Sequence, residues 1–247
     1  GPPDLGILVG LVEVHADGSA GATGELQHPR PLVHRHPGVI VQFVTGSSGN
    51  ILAQIQRGAP FDVFLSADMR YARALVTNGL ADPATLRPYA IGRLVLWTMR
   101  EGLPVESGLS SLTNTGVRRI AMAHPDHAPY GRAAREALES AGLWDALRPR
   151  LVFGDNISQA AQFVQSGKAD AGFVALSLVS APRLSRTGRW WLIPEQAHRE
   201  LEQGMVLTRR GQTNAAARWV HDSLISPEAG AVLARFGFRL PAGTRQP

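Results

Sequence analysis

Three short stretches gather the residue types that hold an anion without a cationic side chain. They are Thr45-Gly46-Ser47-Ser48-Gly49, Pro125-Asp126-His127-Ala128-Pro129-Tyr130-Gly131 and Asp155-Asn156-Ile157-Ser158. Each follows an apolar, strand-like run and opens an amphipathic, helix-like one. The first turn of a helix leaves backbone N–H groups without intrahelical partners, at the positive end of the helix dipole. Hydroxyls at Ser47 and Ser48 and the amide of Asn156 add to those donors. Three such ends brought together make an anion site. Ser and Asn are also preferred N-caps, so one loop of this kind alone is more often a cap than a ligand site.

The elements that must position these loops alternate along the chain. Strand-like runs are "LVEVHA", "GVIVQFV", "FDVFLSA", "GRLVLWTM", "RRIAMAH", "RLVFG", "DAGFVALS", "RWWLIP" and "GMVLTR". Between them fall "NILAQIQRG", "MRYARALVTNG", "GRAAREALESAGLWDAL" and "SQAAQFVQSGKA", with "NAAARWVHDSLI" and "PEAGAVLARFG" at the end. Gly58, Gly79, Gly142 and Gly167 sit where helix C′ glycines belong. Strand–helix alternation with near-continuous apolar strands predicts an α/β fold with parallel-rich sheets covered by helices. In such sheets ligands bind beyond the carboxyl ends of the strands, where these loops lie. Residues 16–38 break the pattern: Gly18, Gly21 and Gly24 come before Pro29, Pro31 and Pro37, and an internal proline costs a helix about 3 kcal/mol or more. This stretch is read as irregular.

Composition narrows the function classes. The chain has 247 residues, no cysteine and a mean hydropathy of -0.05, so thiol chemistry and disulfides are excluded. The net charge is +5, but Lys168 is the single lysine among 25 basic residues, and the arginines are scattered without interleaved aromatics. That is no nucleic-acid footprint. The longest apolar run, "LGILVGLVEV", is too short to span a membrane and has no charged stretch before it; with "GPPD" it reads as a first strand behind a processing scar. His34/His36 and His124/His127 have spacings a metal could use, but no neighbouring acidic or thiol cluster completes a site. The sequence "GSSGN" is not a nucleophile elbow, because Asn50 stands where that motif requires glycine. Neither a serine hydrolase nor the sensing domain of a regulator is favoured, since no helix-turn-helix segment is attached.

The residues "GSSGNILAQIQRGAPFDVFLSAD" resemble the signature of the periplasmic molybdate-binding proteins that serve ABC transporters. The similarity continues in order through "AHPDHAPYGRAAREALESAGLWDAL", "FGDNISQAAQFVQSGKADAGFVALS" and "SPEAGAVLARFGF", covering about Val39 to Phe238. It implies the type II periplasmic binding protein fold: two lobes, two hinge crossings and a ligand cleft between them. Residues 5–90 with 205–240 would form one lobe and 91–204 the other, joined by "YAIGRLVLWT" and "LEQGMVLT" near Ile91 and Gly204.

The resemblance also implies a function: capture of molybdate or tungstate and delivery to a membrane permease, with no catalysis and no cofactor. It implies an exported, secreted or lipid-anchored monomer whose closure the transporter reads. Position by position, the family's first serine falls on Ser19 and its second on Ser48, with Ser47 as the register alternative. Backbone N–H groups would come from Tyr130 and from Ile157, with Asn156 adjacent. These residues would hold molybdenum or tungsten only as its oxyanion. Ala175 stands where some members carry a tyrosine, and the Tyr130 phenol is the candidate replacement. Gly46 to Gly49 would be small because the oxyanion sits against them. Asp62, Ser66 and Asp68 match the motif but read as strand-end and capping residues. Beside Ser19, Asp17 places a carboxylate that repels a dianion unless it turns away. So altered a first crossover also admits a receptor of the same fold for another oxyanion or a small organic anion.

Overall fold

The computed structural model describes residues 10–16, 39–182 and 184–242. Ser19 and Asp17, the histidines His34 and His36, and the irregular stretch around them lie outside the described residues.

The chain order begins β1 (Gly10–Ala16), β2 (Val39–Thr45), α1 (Ser48–Gln56), β3 (Val63–Ser66), α2 (Met69–Thr77), β4 (Arg87–Gly92) and β5 (Leu94–Thr98). A kinked 3-10 segment, Val105–Thr113, leads to β6 (Ile120–Ala123), α3 (Pro129–Ser140), α4 (Trp144–Leu147), β7 (Leu151–Gly154) and α5 (Ile157–Gln165). Then come β8 (Ala171–Ala175), α6 (Leu176–Ser180), β9 (Arg189–Leu192), β10 (Leu201–Leu207), α7 (Ala215–Ser223) and α8 (Pro227–Arg235). Two compact units result. The first takes Gly1–Ala90, Glu202–Ala234 and Leu240–Pro247; the second takes Ile91–Leu201 and Arg235–Arg239. The short Arg235–Arg239 segment thus goes with the second unit, whereas the sequence reading kept 205–240 together.

Each unit has its own five-stranded sheet, in the order β2-β1-β3-β10-β4 and β7-β6-β8-β5-β9. The expectation of parallel-rich sheets needs correcting. Parallel pairing joins β6 to β7 and β6 to β8, while β1–β2, β1–β3, β3–β10, β5–β8 and β5–β9 are antiparallel. A continuous apolar run reports burial on both faces and says nothing of direction. All five residues of β5 are buried, yet it runs against both its neighbours. The single strand expected over "YAIGRLVLWT" is interrupted at Arg93, giving β4 to the first sheet and β5 to the second.

Local sequence explains the helices that carry the candidate loops. In α1, Ile51 and Ile55 stand one turn apart and pack with Phe64, Met69, Ala72, Leu75 and Val206. In α2 the buried face is Met69, Ala72 and Leu75. The second unit closes over Trp97, Phe173, Leu94, Leu96, Leu112, Ile120 and Met122, each under 2 % exposed. All four C′ glycines adopt the left-handed conformation, with φ of 89°, 66°, 68° and 71° at Gly58, Gly79, Gly142 and Gly167. For that reason the long helix expected through residue 147 stops before Gly142 and restarts as α4. Among the described residues no helix is long and apolar enough to cross a membrane.

Candidate functional site

In the first unit, the site elements are the ends of β2 and β3. Ser47 is the N-cap of α1, extended at φ -73° and ψ 146°, and its hydroxyl accepts the Asn50 N–H at 3.4 Å. Ser48 begins the helix and is fully buried. Its hydroxyl accepts the Ala67 N–H at 3.0 Å, which ties the start of α1 to the loop between β3 and α2. A hydroxyl that accepts one bond keeps its own proton to donate. Gly46 has a reason of its own to be small: a Cβ there would come within 3.3 Å of the Ile51 side chain.

Around this corner the acidic and hydroxyl residues of "FDVFLSAD" are structural. Asp68 caps α2, accepting the Arg70 N–H at 2.8 Å and the Arg70 Nε–H at 2.9 Å. Ser66 donates to the Asp68 carbonyl at 2.7 Å and accepts its N–H at 3.1 Å. Buried Asp62 receives Asn214 Nδ2–H and faces Arg210 Nε, each at 3.4 Å; Asn214 in turn caps α7.

In the second unit, three adjacent strands end on one edge. The order β7-β6-β8 is parallel throughout, with Ala123 opposite Gly154, so the helices that follow start side by side. These are α5, α3 and α6. Pro129 and Tyr130 occupy the first two positions of α3, whose cap Ala128 contributes no side-chain bond. Ala128, Pro129, Tyr130 and Gly131 are all buried at this helix start. Proline at the first turn loses no helical hydrogen bond and pre-sets φ. Gly131 follows because a Cβ at that position would run into the Ala123 carbonyl; only glycine lets the helix start this close to the strand it leaves.

Asn156 caps α5 by accepting the Gln159 N–H at 3.0 Å, and Gln159 reciprocates by accepting the Asp155 N–H at 2.7 Å. This mutual bonding fixes the loop so that Ile157, buried at the first helical position, presents its N–H outward along the axis. The third helix differs. The Leu176 N–H donates to the Arg93 carbonyl at 2.8 Å, so the Ala175 junction is already committed to backbone pairing.

The structure thus places Ser47 and Ser48 together at one helix start in the first unit. It places Tyr130, Asn156 and Ile157 on neighbouring helix starts in the second. Sequence reasoning missed two features of these sites. The bond from Ala67 to Ser48 spans 19 residues and has no local signature beyond small residues at both ends. The Gly131 approach had one: a glycine inside an otherwise good helix sequence, "PYGRAARE". Among the described residues no group of three or more His, Cys, Asp or Glu could hold a metal ion.

Paired α/β units with strand ends feeding capped helix starts are the architecture of the two-lobed periplasmic binding proteins. Residues 28–239 match the family model described as bacterial extracellular solute-binding protein. The chain is 35% identical over 244 residues to the molybdate-binding protein ModA of Rhodobacter capsulatus, covering 96% of this chain and 95% of that one. It is 37% identical to ModA of Azotobacter vinelandii over 82% of this chain and 79% of that protein. The solved structure of the Azotobacter vinelandii periplasmic molybdate-binding protein superimposes with a TM-score of 0.76 at 36% identity, covering 80% of this chain and 86% of that one. The chain belongs to the bacterial extracellular solute-binding protein family, and within it to the ModA group.

Proposed function

We propose that the protein captures molybdate or tungstate and delivers it to the permease of an ABC importer, without catalysis and without a cofactor. The observation that carries this reading is the state of Ser48: buried, its oxygen fixed by the Ala67 N–H and its proton left to donate at the mouth of α1. A fully buried hydroxyl held in this way suits a dianion, because bonds to charged acceptors are the strong ones. In the second unit the neighbouring starts of α3 and α5 are assigned neutral N–H donors through Tyr130 and Ile157, with Asn156 holding the loop. Ser19 is assigned the remaining hydroxyl on the family motif, and the Tyr130 phenol stands in for the tyrosine that Ala175 replaces. The names of the Rhodobacter and Azotobacter relatives support the ligand class. The description of the Azotobacter structure as periplasmic supports a periplasmic location; the permease partner and the monomeric state are assigned on the family resemblance.

Neutral donors do not distinguish dianions by charge. Selectivity over sulfate then rests on size, since a smaller tetrahedral ion leaves fixed donors stretched. The test is a thermal-shift titration of ligand-free protein with molybdate, tungstate, sulfate and phosphate. A ligand at a hundred times its dissociation constant adds about 2.7 kcal/mol, which in a chain of this size raises Tm by about 5–10 °C. Molybdate and tungstate give that shift and sulfate does not. Equal shifts with sulfate would assign the site to oxyanions generally, and no shift with any of the four would refute the reading.

A further inference from the structure

The chain passes between its two compact units at more places than the two crossings that the resemblance implies. Ile91 opens the second unit after Ala90, and Leu201 ends that stretch before Glu202. A short excursion, Arg235–Arg239, then enters the second unit from Ala234 and leaves it at Leu240. It follows directly on α8, and oxyanion capture by helix starts gives it no part.

Three kinds of contact hold this excursion. Phe236 and Phe238 are both buried, at 7% and 6% exposed. Between them Gly237 takes φ 84° and lies against the start of α6. A Cβ there would stand 2.7 Å from Leu176 Cδ2 and 2.8 Å from its Cγ, so a side chain would meet a strained backbone and a packed leucine together. Arg239 pairs with Ile91 as an antiparallel bridge. The Ile91 N–H donates to the Arg239 carbonyl at 2.7 Å, and the Arg239 N–H donates to the Ile91 carbonyl at 3.0 Å.

The Arg239 side chain reaches the other passage. Its Nη2–H donates to Glu200 at 2.7 Å, one residue before Leu201, and its Nε lies 3.0 Å from Glu195. The three side chains are half exposed, so these ion pairs add little to stability. What they fix is position. One residue is bonded beside both other passages, to Ile91 through its backbone and to Glu200 through its guanidinium.

We propose that Arg235–Arg239 is a strap that gathers the three passages and limits how freely the two units move before the oxyanion binds. Its effect on affinity rests on the oxyanion reading; its effect on the free protein does not. With donors assigned to both units, the ion binds only those arrangements that bring the donors together, and apparent affinity falls with the fraction of molecules in them. A docked strap removes other arrangements from the free ensemble and so raises that fraction. Loss of the Arg239 ion pairs, at the usual worth of exposed pairs, corresponds to about a 1.5- to 5-fold fall in affinity. Undocking at Gly237 has the larger effect.

The experiment uses the full chain, whose lack of cysteine lets two introduced ones be labelled alone. Exposed Gln56 on α1 and exposed Ser140 on α3, one in each unit, are replaced as Gln56→Cys and Ser140→Cys and spin-labelled. Pulsed electron spin resonance gives the distance distribution with and without molybdate in the wild-type background, in Arg239→Ala and in Gly237→Ala. Calorimetry of the unlabelled proteins gives molybdate affinity. Both variants broaden the ligand-free distribution, Gly237→Ala the more; molybdate brings all three proteins to the same narrow distance, and affinity falls in the same order. Should Gly237→Ala not fold, Arg239→Ala carries the same expectation. A folded variant with the wild-type ligand-free width overturns the proposal even where Tm falls, because a segment that only adds stability leaves the distribution unchanged. A broadened variant with wild-type affinity overturns it too. Absence of molybdate and tungstate binding by wild type overturns the oxyanion reading, while the ligand-free widths still decide the strap.

Discussion

Removing the Ser48 hydroxyl separates two roles that the structure gives it. Ser48 is 0% exposed and Ala67 is 1% exposed, and the bond between them is 3.0 Å long. In Ser48→Ala the Ala67 N–H keeps its burial and loses its partner, which costs about 1–3 kcal/mol. For a chain of this length that lowers Tm by about 2–12 °C before any ligand is added. Ser47→Ala loses a longer cap bond, 3.4 Å, worth about 0.5–1 kcal/mol, so its loss of Tm is the smaller of the two. Ser48→Ala also removes a donor to a charged acceptor, so molybdate affinity falls by about tenfold or more. The assay is ligand-free thermal and urea unfolding of both variants, followed by titration with molybdate. A ligand-free Ser48→Ala protein as stable as wild type, or less affected than Ser47→Ala, would refute the reasoning from burial and bond length.

Three further outcomes follow from other parts of the second unit. Gly131→Ala drives a Cβ into the Ala123 carbonyl; overpacking of this kind costs about 1–3 kcal/mol or more, and circular dichroism melts will show it together with loss of the molybdate-induced shift. Asn156→Ala removes the cap of α5 and costs about 1 kcal/mol, with weaker molybdate binding by calorimetry, while Asn156→Asp retains the cap yet weakens binding by setting a carboxylate beside the anion. Asp170 is held below the usual carboxylate range: partial burial opposes this, but the N–H groups of Arg119 and Arg118 and the charge of Arg100 outweigh it. A lowered carboxyl stabilises the fold above its ordinary value of 3.8 and loses that contribution as pH falls through the lowered one. Acid unfolding curves of wild type and Asp170→Asn therefore converge at the acid end and separate above about pH 4.

Much of the fold was legible because it is encoded within one turn or one strand. Gly58, Gly79, Gly142 and Gly167 mark helix ends because a left-handed residue without a Cβ is needed there, and that demand is local. Ser47, Asp68, Asn156 and Asn214 cap helices for an equally local reason. Strand direction was not legible: the all-buried run of β5 reads the same whether its neighbours run with it or against it. The 3-10 segment Val105–Thr113 shows neither period in its sequence, and it kinks at Gly108, which has φ 79° and lies beside Trp191. The Ala67–Ser48 bond and the pairing of Leu176 with Arg93 depend on contacts between distant residues, which spacing along the chain does not carry. The strand end and helix start of the 45–49, 125–131 and 155–158 loops were legible, since these elements follow one another in sequence.

The most direct test of the central claim is a crystal structure of the protein grown with molybdate, with the metal located by its anomalous scattering. The account predicts one strong peak whose oxygens lie within about 2.7–3.2 Å of Ser48 Oγ and of the Tyr130 and Ile157 backbone nitrogens. A peak elsewhere, or an oxyanion held by arginine side chains with those three donors turned away, would contradict it.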